Sequence, residues 1–368
     1  MSQPNISLSQ ILNNLATGHT LSAWEWQYLI TEELALSQRA KAFGITQTNA
    51  QEILQERSLI FHSVYPDIFS LPFLISSPPT PPYQGGESKA KILLSLWKLW
   101  IPLAMQLSSI QQKLGRPFVQ GILGGQGTGK TTLCAVLSLI LKHLALGTLS
   151  LSLDDLYKTY SERQHLQKLD PRLGRRGPPG THDLELGKQV LDQLRTPNLG
   201  QPILVPRFEK SAWGGAGDRT DPEMVKNIDI VLFEGWFVGV RPIDPTVFDS
   251  ATPEPIQTAA DRSFARDMNQ QLREYLPLWE RLDRLMLLYP TDYHLSQQWR
   301  LQAEQQMITT GKSGMSTSQI GEFVNYFWRS LHPELFITPL TRNPNLVDLV
   351  IEINSDHSVG DVYRPGDA

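Results

Sequence analysis

The sequence predicts an α/β protein in three layers: a mostly parallel sheet with helices on both faces, preceded by a helical extension. Two observations lead there. Short apolar runs at 118–123, 149–153, 228–233, 285–289 and 346–353 alternate with longer stretches of helical periodicity. Continuous apolar runs of this length suit parallel strands buried on both faces. The first run also leads through a glycine-rich turn into the apolar helix start Thr132-Leu133-Cys134-Ala135-Val136-Leu137. That order of strand, turn and helix is the opening of a crossover unit.

Taken along the chain, residues 1–76 read as a separate helical region. Leu21, Ala23, Trp24 and Trp26 begin one apolar-periodic stretch, and Ile53, Leu54, Leu59, Ile60 and Phe61 carry a second. Residues 77–86 hold Pro78, Pro79, Pro81, Pro82, Gly85 and Gly86 and predict an extended linker. The α/β domain then occupies 87–368, opening with a long helix through Leu94, Trp97, Leu99 and Trp100. Two long Gly/Pro-rich, charged loops are expected at 170–181 and 206–222. Both belong near strand C-terminal ends, where open α/β sheets bind ligands.

Composition sets outer bounds. The 368 residues are 40% hydrophobic and 19% charged, with a formal net charge of −4. Nothing in that balance favours nucleic acid or an anionic membrane as partner. Cys134 is the single cysteine, so no disulfide framework is expected. No window offers the roughly 18 uninterrupted apolar residues of a membrane span. No basic residue precedes Arg39, as a signal or transit peptide would require. The expectation is a cytoplasmic protein.

The segment Gly124-Gly125-Gln126-Gly127-Thr128-Gly129-Lys130-Thr131 fits the phosphate-binding pattern G-x-x-x-x-G-K-[ST]. Its glycines let successive backbone N–H groups turn toward one anion, and the following helix, from Lys130 through Thr132, adds its positive dipole end. Lys130 is expected to reach the β- and γ-phosphates of ATP, and Thr131 to ligate Mg²⁺.

Further candidates surround this loop. Ser152-Leu153-Asp154-Asp155-Leu156-Tyr157 follows the second strand, where a carboxylate can accept a hydroxyl proton or hold metal-bound water. Either aspartate could instead cap the next helix, which explains one of them better than two. Ile230-Val231-Leu232-Phe233-Glu234-Gly235 is an apolar strand ending in one acid, the arrangement that places a carboxylate on Mg²⁺. The first long loop brings Arg172, Arg175 and Arg176, then Thr181, His182 and Asp183; the second brings Arg207, Lys210 and Arg219. Together they suit a small anionic substrate, since guanidinium and ammonium groups pair with carboxylates. Arg300 and Lys312 are candidates for a cation closing over a transferring phosphoryl group, with Arg300 preferred.

Together these motifs resemble the P-loop kinase superfamily of phosphoribulokinase, uridine kinase and pantothenate kinase, and within it the plant and cyanobacterial glycerate 3-kinases. The resemblance covers about residue 87 onward. It rests also on Arg176-Gly177-Pro178-Pro179-Gly180-Thr181-His182-Asp183, Pro206-Arg207-Phe208-Glu209-Lys210-Ser211, Gly214-Gly215-Ala216-Gly217-Asp218-Arg219, Phe233-Glu234-Gly235-Trp236 and Asn269-x-x-Leu272-x-x-Tyr275. It implies a P-loop fold and transfer of the γ-phosphate of MgATP to a hydroxyl of D-glycerate, a photorespiratory salvage step. In that reading Asp154 is the base and Thr131 and Glu234, with Asp155, face the metal. Lys130 and Arg300 stabilise the phosphoryl group, and Tyr157, Arg176, His182, Lys210 and Arg219 line the substrate site. Other readings are a kinase of the same fold with a nucleoside or pantothenate as acceptor, and a regulatory ATP-binding protein.

Overall fold

Apolar residues alternate between the two faces of each central strand, and this sorts the core into two halves. The computed structural model describes residues 7–71, 85–196, 200–309 and 315–367. Strands β1 (Phe118–Gly124), β2 (Thr148–Ser152), β5 (Ile230–Gly235), β6 (Arg284–Pro290), β7 (Leu349–Ile353) and β8 (Val359–Tyr363) form one sheet in the order β2-β5-β1-β6-β7-β8. All neighbours run parallel except β8, which is antiparallel to β7. Each of the five expected strands is present.

On one face, Phe118, Ile122, Ile230, Leu232, Met286 and Ile351 pack beneath helices; on the other lie Val119, Leu123, Val231, Phe233, Leu287 and Val350. The first face carries the helix after the phosphate loop, α7 (Lys130–His143), and the long helix before β1. That long helix runs as α5 (Gly85–Ser95), a π-helical turn Leu96–Trp100 and α6 (Ile101–Leu114). Pro102 explains the turn: it has no N–H to donate and its ring would crowd the Lys98 carbonyl, so the helix widens there. The run Lys89–Leu114 is long and apolar enough to cross a membrane. Here Leu93, Leu96, Trp97, Leu99, Ile101, Leu103 and Leu107 face the core.

The N-terminal helices are α1 (Leu8–Ala16), α2 (Ala23–Ala35), α3 (Ser37–Ala42) and α4 (Ala50–Ile68). Capping boxes at Ser7 and Ser22 start the first two. The region is helical as expected, but it is not separate. Ile11, Leu12, Leu29, Leu54, Phe61 and Val64 share one apolar cluster with Phe118, Leu137 and Ile230, and α4 packs on α7. Inside it Glu33 is fully buried between Arg57 (2.7 Å) and Arg39 (3.3 Å). The expected linker 77–86 lies outside the described residues as far as Gln84, and Gly85 and Gly86 already belong to α5.

The loop expected at 206–222 is a β-ribbon: β3 (Ile203–Glu209) pairs antiparallel with β4 (Asp218–Val225), apart from the main sheet. Pro206 and the density of charges hid this, because they break the alternation that marks a strand. The remaining helices are α8 (Tyr160–Leu169), α9 (Leu184–Arg195), α10 (Ala259–Gln271), α11 (Leu276–Trp279), α12 (Leu295–Thr309), α13 (Thr317–Ser330) and α14 (Pro333–Phe336).

Candidate active site

Strand register brings the motifs together. Ile122 of β1 lies beside Glu234 of β5, and Glu234 lies beside Ser152 of β2. The phosphate loop, the acid of β5 and the turn after β2 therefore emerge side by side at the strands' C-terminal ends. They open into a cleft of about 1120 Å³, lined among others by Gln126, Gly127, Lys130, Thr131, Asp154, Tyr157, Lys210, Glu234 and Arg300.

The loop is shaped for a polyphosphate. Gly127 and Gly129 hold φ of +78° and +84°, the left-handed conformation that turns loop N–H groups inward and that side chains oppose. A Cβ on Gly127 would sit 2.6 Å from Trp299 Cβ of α12, so backbone alone fits against that wall. Thr128 is buried and its hydroxyl donates to the Gly125 carbonyl at 2.9 Å, bracing the loop from within. Lys130 Nζ donates to the same carbonyl at 2.9 Å. Burial pushes the Lys130 ammonium below the ordinary lysine range, against the pull of Glu234 and Asp154. Such a cation gains from an anion beside it.

Thr131 and Glu234 line the cleft and could hold Mg²⁺ together with phosphate oxygens and water. Among the described residues no group of three or more His, Cys, Asp or Glu side chains could hold a metal by itself.

The two aspartates divide the roles left open by their sequence. Leu153–Leu156 is a 3-10 turn in which Asp155 Oδ2 accepts the Ser152 N–H at 3.0 Å and Arg207 Nη1 at 2.9 Å. Asp155 is therefore a cap with a paired charge. Its expected place at the metal is corrected, because both interactions turn it out of the cleft. Asp154 faces the cleft instead, with Lys210 Nζ 2.7 Å from Oδ2 and the Tyr157 hydroxyl donating to it. Burial works against the ionised Asp154, but Lys210 and Tyr157 outweigh it and hold the carboxyl below its usual range.

The basic candidates sort in the same way. Arg176 lines the cleft, stacks over Phe208 and donates to the Gly215 carbonyl at 2.6 Å, tying the loop before α9 to the ribbon turn. Gly177 in that loop permits contact: a Cβ there would lie 2.3 Å from Phe327 of α13. Arg219 does not reach the cleft, since it bonds Asp183 at 2.8 Å and the Tyr157 carbonyl at 2.9 Å. His182 is also corrected: it is buried behind Tyr157, whose ring stacks on it at 4.5 Å, and it does not touch the cleft. Burial pushes its imidazole down to about 3, so it is neutral. Arg300 does line the cleft, paired to the buried Glu304 one helical turn on and stacked over Phe323. Lys312 lies outside the described residues.

Several residues to which the sequence assigned no role support the cleft. Tyr275 is fully buried; its oxygen accepts the Gly180 N–H at 2.9 Å and shares a hydrogen bond of 2.7 Å with His182 Nδ1. Asn269, in the same motif, clamps Ile243 through its N–H (2.8 Å) and carbonyl (2.9 Å). Trp236, after the acid of β5, donates to the Gly177 carbonyl at 3.2 Å. Trp299 walls the phosphate loop and Glu304 fixes Arg300.

No protein-family model matches the chain. An uncharacterised kinase of Schizosaccharomyces pombe, mug58, is 30% identical over 250 residues, 65% of this chain and 90% of that protein. The chloroplastic D-glycerate 3-kinase of Arabidopsis thaliana is 31% identical over 255 residues, 66% of this chain but 54% of that protein's length. A D-glycerate 3-kinase structure from Cryptococcus neoformans superposes with a TM-score of 0.65 at 28% identity, covering 72% of this chain and 99% of the other. The shared region and the shared P-loop fold agree, and the chain belongs to the family of ATP-dependent P-loop kinases in which these D-glycerate 3-kinases are found.

Proposed function

We propose that this kinase transfers the γ-phosphoryl group of MgATP to a hydroxyl of D-glycerate, giving 3-phosphoglycerate. The observation that carries the reading is the juxtaposition of Asp154 with Lys210 opposite the phosphate loop. A proton acceptor and a carboxylate-binding cation stand in one cleft. A small hydroxy acid needs both, whereas a nucleoside has no carboxylate for Lys210 to pair and needs a larger wall for its base. The relatives named for D-glycerate support the same acceptor.

In this reading the loop 124–131 and Thr132 hold the triphosphate, and Thr131 and Glu234 hold Mg²⁺. Bound there, the ion would neutralise phosphate charge and act as a Lewis acid. Asp154 orients the acceptor hydroxyl and takes its proton as the new O–P bond forms, while Tyr157 fixes the carboxylate's rotamer. Lys130 and Arg300 stabilise charge spreading over the transferred group. Lys210 and Arg176 pair the acceptor's carboxylate. Photorespiratory salvage and a cytoplasmic location belong to the same proposal. The test is ADP release from MgATP, which D-glycerate should stimulate and uridine should not.

A further inference from the structure

We propose that Lys210 masks the base Asp154 until the acceptor's own carboxylate draws it away, so that one residue both reads the substrate and releases the catalyst. This rests on the D-glycerate reading above. The ion pair is close, with Nζ 2.7 Å from Oδ2, yet its partners are held very differently. Asp154 sits on a short turn anchored by Ser152 and Asp155. Lys210 is 63% exposed at the turn of the β3–β4 ribbon. The other ribbon cations are committed elsewhere: Arg207 to Asp155 and Glu223, and Arg219 to Asp183. Lys210 alone among the three is placed on the base.

A carboxylate that accepts from an ammonium has one oxygen occupied and its negative charge matched, and both weaken it as a proton acceptor. The groups around Asp154 are Lys210 from the ribbon, Tyr157 from its own turn, His182 from the loop before α9, and Lys130 from α7, which in turn feels Glu234 of β5. His182 is neutral and Tyr157 only donates, so Lys210 is the movable charge. A second carboxylate in the cleft competes for it, with Arg176, bound to the Gly215 carbonyl of the same turn, as the neighbouring cation. An acceptor without a carboxylate, water included, leaves the pair closed.

In the open state the acceptor oxygen bonds to the γ-phosphorus and the bond from that phosphorus to the β–γ bridging oxygen breaks. ADP leaves with that electron pair, and the hydroxyl proton passes to Asp154 and then to solvent. With water as acceptor the same balance yields ADP and inorganic phosphate. Suppressing that waste is what the mask accomplishes.

The test compares wild type, Lys210→Met, Lys210→Arg and the double variant Lys210→Met/Asp154→Asn. Each is assayed for ATP hydrolysis without acceptor and for phosphorylation of glycerol and D-glycerate. Lys210→Met is expected to raise hydrolysis and glycerol turnover about 10-fold, because a freed general base has roughly 100-fold or more to give. It should lower kcat/KM for D-glycerate about 10–100-fold, the scale of one charge-assisted contact. Lys210→Arg should restore most D-glycerate activity, and the double variant should lose the gain in hydrolysis. Unchanged hydrolysis in Lys210→Met, a gain that survives loss of Asp154, or an undiminished kcat/KM for D-glycerate would each overturn the proposal. If wild type ignores D-glycerate, the acceptor assignment fails separately, and the hydrolysis arm still decides whether Lys210 masks Asp154.

Discussion

Replacing Tyr275 by Phe should show how far a residue outside the cleft supports it. The change removes one oxygen and leaves the ring, which packs near Phe237 and Trp279 with centroids 5.1 and 5.6 Å away. Two groups lose their partner: the half-buried Gly180 N–H at 2.9 Å and the buried His182 Nδ1 at 2.7 Å. An unsatisfied buried polar group costs about 1–3 kcal/mol, so the loss should be about 2–4 kcal/mol after local relaxation. That is large against a typical total of roughly 5–15 kcal/mol but leaves a folded protein. His182 supports Tyr157, and Tyr157 supports Asp154, so kcat should fall about 10–100-fold with little change in KM for ATP. Equilibrium urea unfolding gives the first number and steady-state kinetics the second. A stability change below about 0.5 kcal/mol with unchanged kcat would refute the reasoning, because the hydroxyl would then hold nothing in place.

Three other outcomes follow from the same geometry. Asp154→Asn should reduce kcat about 100-fold or more while KM for ATP holds, as steady-state kinetics would read. Gly127→Ala places a Cβ 2.6 Å from Trp299 Cβ at a φ of +78°, so nucleotide affinity measured by calorimetry should fall at least about 10-fold with the fold intact. Acid stability should report two buried imidazoles, His182 held down to about 3 and His332 to about 4. The unfolded chain binds those protons below about pH 6.5, so stability is lost as pH falls from there toward the folded values. Between pH 7 and 5.5 the two should cost about 2–3 kcal/mol in urea unfolding, and His332→Gln should remove about half of that.

What was legible in the sequence was local. The five apolar strands, the glycine loop, the acid of β5 and the Ser152–Tyr157 turn that carries Asp154 each announce themselves within a few residues. Pairings across the chain did not. Asp155 and Arg207 lie 52 residues apart, and nothing in either segment says that one cancels the other. Arg219 looks as available as Lys210 until Asp183 is seen beside it. His182 looks like a ligand until the fold buries it behind Tyr157. One missed partner did carry a signal: Glu304 follows Arg300 by four residues, the spacing at which helical side chains meet. The ribbon β3–β4 escaped because Leu204 and Met224, opposite each other, are exposed while Pro206 is buried. The N-terminal helices show amphipathic patterns, but only the fold reveals that their apolar faces complete the core over β1 and β5.

The most direct test of the central claim is coupled ADP release with MgATP, comparing D-glycerate with L-glycerate, uridine, pantothenate and no acceptor. Strong stimulation by D-glycerate alone, with 3-phosphoglycerate as the product, is the predicted result. Turnover that no hydroxy acid stimulates, or stimulation by uridine or pantothenate instead, would contradict the assignment of the cleft to D-glycerate.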